Sequence, residues 1–406
     1  MKPLLSIIIP TKNRYRTLTN LVNQLLKWPS SEFEIIVHDN SEDNTPILSF
    51  LEEVKNDIRL KYIHEGDEVL SVTENSTRAL VNSTGEFACF LGDDDGIINQ
   101  ALHVVKWMKA SGVDSLNCSH GSYCWPEYRF KNSGKKKSLA GMLLFRGCSG
   151  SIRKQDPLES LNNLLENGAL QINDITRFYH GIVSRKILEE LKNKSGTYFP
   201  GPVADMSSAV GLAFFSKNHH VLDFPLIIAG ASGSSYAGKS GQKKNDIRIE
   251  KQLWLPRETV AEWSKCLPKY LTGQTIWPES AIQALKKTGN SNLIPKLNLP
   301  KVYAEYLVDF PELALDFKDF LRKNYSLEEQ SGINEKIKAY KKKYKINKLK
   351  YWLKVYAVYF NGHKSLGLTK IDAEDIGTAL NILEIQTDSN VLKKKSALND
   401  IIMEYK

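Results

Sequence analysis

Three consecutive carboxylates, Asp93, Asp94 and Asp95, stand between Gly92 and Gly96, directly after the apolar run Phe87-Ala-Cys-Phe-Leu91. On an extended backbone alternate side chains share a face, which would point Asp93 and Asp95 together. At about 5 Å their repulsion would be about 3 kcal/mol at an effective dielectric near 20. A hard divalent cation removes that cost. Mg²⁺ or Mn²⁺ prefers oxygen ligands, takes one or two carboxylates from a protein and fills its other positions with water and phosphate. The competing reading is a solvated acidic turn, such as Asp-Gly clusters form after many strands.

The elements that must position this cluster alternate in a βα rhythm. Residues 4–9 form a continuous apolar run closed by Pro10, the pattern of a buried parallel strand. Leu18, Leu21, Val22, Leu25 and Leu26 recur at helical spacing over 16–27. Strands are predicted at 34–37, 60–63 and 87–91, and helices at 46–54 and 73–82. Such alternation implies an α/β fold with a doubly wound, mostly parallel sheet, whose ligands sit at the carboxyl ends of the strands. Thr11 and Arg14 follow strand one, Asp39 follows strand two, and the acidic cluster follows strand four, so the polar residues gather at one edge.

Beyond residue 100 the pattern predicts a helix over 98–111, a mixed segment over 115–128, a basic loop at 132–137, a strand over 178–183 and a helix over 185–192. A turn-rich stretch then leads to Asp205 and a helix over 206–216. A strand over 221–229 runs into the glycine- and serine-rich loop 230–241, which reads as a mobile lid or as a plain surface loop. From about 250 helical patterns dominate. The expected division is a nucleotide-binding catalytic domain over 1–245 and a mainly helical domain over 246–406.

Whole-chain properties narrow the function. The 406 residues suffice for two domains, and no run of 18 apolar residues suggests a membrane span. The N-terminal apolar stretch is short for a signal peptide, and the five cysteines show no C-x-x-C spacing, so reduced thiols in the cytoplasm are expected. The net charge of +9 is local: residues 336–370 hold eleven lysines with no acid or arginine. Within 336–360, nine lysines interleave with seven aromatics, the composition of a helix lying on an anionic membrane at the inner face of the plasma membrane. A solvated lysine face over an aromatic core is the other reading, and nucleic acid is not the expected partner.

Four ordered segments carry a resemblance: Ser6-Ile-Ile-Ile-Pro-Thr-Lys-Asn-Arg14, Glu34-Ile-Ile-Val-His-Asp-Asn-Ser-Glu-Asp-Asn-Thr45, Asn75 with Arg78, and Gly85-Glu-Phe-Ala-Cys-Phe-Leu-Gly-Asp-Asp-Asp95. Together they resemble the family 2 glycosyltransferases of the GT-A fold, with a weaker likeness to about residue 240 and none over the C-terminal third. The resemblance implies transfer of a sugar, with inversion, from a nucleotide diphosphate donor, usually a UDP-sugar, to a glycan or lipid-linked oligosaccharide in surface polysaccharide synthesis. It implies that Thr11, Arg14 and Asp39 hold the nucleoside, with Asp39 on the base, and that Arg78 helps hold the nucleotide. Asp93 would lie near the ribose and the metal with Asp94 beside it, and Asp95 would ligate Mn²⁺ or Mg²⁺ directly. The general base falls on Asp205 in Pro202-Val-Ala-Asp-Met206, where Ala204 replaces the acid usual in the family. His180 could contact donor or acceptor, or be structural.

Tyr123, Trp125 and Tyr128 fit core packing better than sugar stacking. Arg185 and Lys186 read as a solvated helix start. A nucleotidyltransferase is a weaker reading, because Pro10-Thr-Lys-Asn-Arg14 lacks the glycines of a phosphate-cradling loop. A non-catalytic sugar-nucleotide or glycan binding module is the non-enzymatic alternative. A dehydrogenase is disfavoured because no G-x-G-x-x-G follows a strand.

Overall fold

The computed structural model describes residues 2–128, 139–235, 247–361, 368–391 and 396–405. The expected basic loop at 132–137, the 245/246 division and the loop beyond Ser235 lie outside the described residues. Strand β1 (Leu5–Thr11) is buried along its whole length, as its unbroken apolar run requires. It pairs in parallel with β2 (Phe33–Asp39) on one side and β4 (Phe87–Phe90) on the other, and β2 pairs in parallel with β3 (Leu60–His64). The crossovers are helices α1 (Tyr15–Leu26), α2 (Leu48–Val54) and α3 (Val72–Val81). Helix α3 opens on a capping box between Ser71 and Glu74.

Register aligns the polar residues at the strand ends. Thr11 is the partner of Asp39, and Ile8 is the partner of Phe90, so continuing the β1–β4 register brings Asp93 level with Thr11. The short β5 (Gly96–Ile97) follows the acidic cluster, then α4 (Gln100–Ala110).

The other half of the sheet is largely antiparallel. Its strands are β6 (Ser115–Cys124), β7 (Met142–Arg146), β8 (Ile152–Gln155), β9 (Gly181–Ser184) and β10 (His219–Ala231). Strand β9 runs antiparallel between β4 and β6, which brings residues 179 and 180 beside the end of β4. Strand β10 runs parallel to β6 and antiparallel to β5, with Ile228 opposite Gly96. The strand expected over 178–183 therefore begins later, because His180 adopts a left-handed φ of 59° that an extended strand does not allow.

The helix Ala204–Leu212 packs against the helix Gly273–Lys287, and a second core joins Leu164, Met206, Ile282, Val302, Tyr303 and Phe317. The long helix Leu327–Asn361 packs on the helix Leu299–Asp309. Residues 246–406 are not a single helical unit, however. Strand β11 (Leu368–Asp372) adds antiparallel to β7, and the helices Ile376–Val391 and Ala397–Tyr405 return to the first core. There Ile376, Leu380, Leu383, Leu398 and Ile402 are buried in the same cluster as β1. Strand pairing across more than two hundred residues leaves no local pattern to read.

Leu380 touches the site's own scaffold. A Cβ added at Gly96 would lie 3.0 Å from Leu380 Cδ2 and 3.1 Å from Ile376 Cγ1. Leu380→Ala should cost about 2–5 kcal/mol in denaturant unfolding followed by tryptophan fluorescence. An unchanged midpoint would detach the returning helix from the sheet's stability.

Candidate active site

The acidic cluster is not solvated: Asp93 and Asp95 are 0% exposed and Asp94 4%. Nor is it extended. Asp95 N–H donates to Gly92 O at 3.2 Å, closing a turn that sends the three carboxylates in different directions. Asp93 accepts the Thr11 hydroxyl at 2.5 Å and pairs with Arg14 Nη2 at 2.9 Å. Asp94 approaches Arg14 Nη1 at 3.5 Å and accepts Ser232 N–H at 3.0 Å. Asp93 and Asp94, rather than Asp93 and Asp95, thus share one cation.

Asp95 faces the opposite way. Its Oδ2 accepts Gly92 N–H at 2.6 Å, Tyr179 O–H at 3.1 Å and His180 Nε2–H at 2.7 Å, while Oδ1 accepts Gly230 N–H at 2.8 Å. Asp95, expected to ligate the metal directly, thus already receives four donors from the protein. Burial would push its pKa up, but His180 and the backbone amides of Gly230 and Gly92 hold it below the usual carboxylate value. Asp93 has less compensation. Burial, opposed by Arg14 and reinforced by Asp94, pushes it up to about 7. Gly230 must be glycine, since a Cβ there would lie 1.7 Å from Asp94 O.

Asp39 is also fully buried and already satisfied. Its Oδ1 accepts the Ser41 amide and hydroxyl at 2.9 and 2.5 Å, and its Oδ2 accepts Tyr15 O–H at 2.8 Å and Tyr62 O–H at 2.6 Å. Burial first, then Asp39, raises the Tyr15 pKa to about 12. Direct contact of Asp39 with a nucleobase thus differs from the arrangement seen, in which two tyrosines cover the carboxylate. Arg78 does not reach the acidic turn. It pairs with Glu65 and, at 2.7 Å, with Glu68, because helix α3 points it toward the loop after β3. Asn75 links the strand ends, accepting His38 Nδ1–H at 2.7 Å and donating to Thr11 O at 3.1 Å.

On the other side of Asp95, His180, Tyr179 and Asp205 line one cavity of about 440 Å³, together with Arg177 and Trp277. Asp205 lies in the first turn of the helix Ala204–Leu212, whose N-cap is Val203. Its Oδ1 accepts Met206 N–H at 2.7 Å. Burial raises its pKa to about 6, against the lowering pull of that amide and of His180. A carboxylate of that pKa, opening on a cavity, can accept a proton near neutral pH.

Sequence reasoning missed several contributors. Tyr15, Tyr62, Tyr179, Arg177 and Trp277 carry no motif, and Gly230 and Ser232 reach the turn only through β10. Trp125 is wholly buried and its indole N–H donates to Asp94 O at 2.9 Å, so it braces the turn and does not stack on a sugar. Arg185 is likewise structural, donating to Gly85 O at 2.7 Å and to Ser83 Oγ at 2.7 Å.

Comparison with known proteins adds an independent line. Residues 6–182 match the sequence profile described as Glycosyl transferase family 2. Over 120 residues the chain is 33% identical to the GalNAc(5)-diNAcBac-PP-undecaprenol beta-1,3-glucosyltransferase of Campylobacter jejuni, covering 29% of this chain and 38% of that protein. Over 100 residues it is 34% identical to the poly(ribitol-phosphate) beta-N-acetylglucosaminyltransferase TarS of Staphylococcus aureus, covering 24% and 17% respectively. The chain thus spans well under half the length of these curated relatives. The crystal structure of S. aureus TarS 1-349 in complex with UDP-GlcNAc aligns over 81% of this chain and 78% of its own, at 18% identity and a TM-score of 0.45. Residues 6–182, which contain β1 to β4, the acidic turn and His180, are thus similar to the family 2 glycosyltransferases.

Proposed function

We propose that the protein transfers a sugar, with inversion, from a nucleotide diphosphate donor to a hydroxyl of a glycan or lipid-linked acceptor in surface polysaccharide synthesis. The observation that carries this reading is the buried acidic turn at the carboxyl ends of parallel strands, backed against a cavity that holds a carboxylate of raised pKa. A UDP-sugar is the donor that the likeness to family 2 glycosyltransferases favours. In the transfer the acceptor oxygen bonds to the anomeric carbon, the bond to the diphosphate oxygen breaks, and the acceptor proton passes to Asp205. Thr11 and Arg14 fix Asp93 at the donor end. Asp39 positions Tyr15 and Tyr62 rather than meeting the base itself.

The donor set fits a hard divalent cation, although among the described residues no three His, Cys, Asp or Glu side chains converge on one point. Such an ion needs only one or two carboxylates, and the turn offers oxygen donors whose charge Arg14 offsets only in part. Asp93 and Asp94, which already share Arg14, are placed to hold Mn²⁺ or Mg²⁺, while Asp95 fixes the turn. When bound, the ion would stabilise charge developing on the diphosphate. A panel of nucleotide sugars should release free nucleotide diphosphate with Mn²⁺ and not with excess chelator. Release undiminished by chelator would remove the metal, and no release from any donor would favour a binding module.

Asp205→Asn should abolish transfer while leaving UDP affinity in a calorimetric titration unchanged. Because the base must be ionised, and its pKa lies near 6, transfer in the wild type should be lost below that pH and rise through it. A rate flat between pH 5 and 7, or a mutant that keeps most of its turnover, would move the base elsewhere.

We further propose that the long helix Leu327–Asn361 rests on an anionic membrane. Among the described residues no helix is long and apolar enough to cross one. Along this helix Ile346, Leu349 and Leu353 are 44%, 61% and 58% exposed, and Lys342, Lys343, Lys345 and Lys350 are exposed around them. The apolar residues suit the headgroup boundary, and each lysine adds about 1 kcal/mol near an anionic surface. Changing those four lysines to Glu should release the protein from anionic vesicles in co-sedimentation while donor hydrolysis persists. Equal sedimentation of both proteins would leave the lysines a solvated face.

A further inference from the structure

Arg177 is a half-buried cation, its Nε enclosed, that the proposed chemistry has not used. Among the described residues no carboxylate lies within ion-pairing distance of it. Its one hydrogen bond is a long one, from Nη2 to Cys118 O at 3.4 Å, and its Nε–H is buried without a partner. Burial holds its pKa below the ordinary arginine value, with Cys118, Asp174 and Asp205 only partly offsetting the cost. The guanidinium nevertheless stays charged at neutral pH, so the folded protein bears a desolvation penalty that no direct ion pair among the described residues repays. Charges in that position are ordinarily paired.

The geometry places this cation in the cavity that holds Asp205, with Tyr179 and His180 between it and the acidic turn and Trp277 contributed by the helix Gly273–Lys287. The donor end has its own guanidinium, Arg14, already on Asp93 and Asp94. A planar guanidinium fork matches the paired oxygens of phosphate or carboxylate. An indole beside it suits the face of a sugar ring. We infer that the cavity binds an acceptor glycan bearing an oxyanion, a phosphate or a uronate carboxylate, and that Arg177 holds that oxyanion while Asp205 faces the acceptor hydroxyl. This rests on reading Asp205 as the base. Arg177 is then the residue that selects charged over neutral acceptors.

The test uses calorimetric titration of the full-length protein with glycerol 1-phosphate, glucuronate, glucose and UDP. Wild type should bind at least one of the two anions about tenfold or more tightly than glucose, as expected for a charge-assisted contact. Phosphate preference and carboxylate preference are told apart by which anion it is. Arg177→Gln should erase the preference without changing UDP affinity, and Arg177→Lys should keep part of it. Three results overturn the inference: no preference in wild type, a preference that survives Arg177→Gln, or loss of UDP affinity in its place, which would assign Arg177 to the donor diphosphate. The wild-type comparison stands even if Arg177→Gln fails to fold. Failure of nucleotide-sugar turnover would count against glycosyl transfer and leave this titration readable.

Discussion

The structure depends on keeping three adjacent carboxylates out of water. Asp93, Asp94 and Asp95 are buried in one turn, and isolated burial of even one charge is unfavourable without a partner. Separation and compensation solve the problem together. The turn sends Asp93 and Asp94 to Arg14 and turns Asp95 toward His180. Backbone amides of Gly92, Gly230 and Ser232 then take the remaining lone pairs. Removing one member of such a set leaves an uncompensated charge, at a cost of about 3–5 kcal/mol. Four strands must therefore hold register to a fraction of a residue, because β1 supplies Thr11, the end of β4 the turn, the approach to β9 His180 and the end of β10 Gly230.

The residues that match the family profile do not complete this arrangement by themselves. Gly230 and Ser232 lie beyond residue 182, and Ile376 and Leu380 pack against Gly96 from the far end of the chain. Tyr123, buried in β6, donates to Ala373 O at 3.1 Å and ties the returning segment to the sheet. The C-terminal region thus works in two parts. One builds a separate helical core that delivers Trp277 to the cavity, and the other seals the sheet behind the acidic turn.

The legible parts of this protein are those encoded over short distances. The apolar run before Pro10, the helical spacing of Leu18 to Leu26 and the clustering of Thr11, Arg14, Asp39 and Asp93 at strand ends are all local patterns, and the parallel half of the sheet follows from them. Side-chain direction inside the turn was not legible. Alternation assumes an extended backbone, and the 92–95 turn rotates Asp94 into the position that alternation gives to Asp95. The partners of Asp39 were hidden for a different reason. Tyr15 and Tyr62 sit on separate elements and meet only because β2 lies between α1 and β3. Arg78 shows the converse, a motif residue whose charge is taken by Glu65 and Glu68 once the loop after β3 folds over it.

His180 connects the two ends of the site. Its left-handed backbone is costly for a residue with a side chain, about 1–3 kcal/mol, and local contacts hold it there. The His180 amide donates to Phe90 O at 3.1 Å, and its ring stacks on Tyr179 at 3.9 Å between centroids. Gly181 follows because a Cβ at that position would lie 2.2 Å from Arg177 O. The same kink that turns the imidazole onto Asp95 therefore sets the backbone of Arg177 and lets Tyr179 and His180 form the wall between acidic turn and cavity. The acidic turn and the cavity are coupled through residues 177–181, so a backbone change at 180 or 181 would disturb both at once.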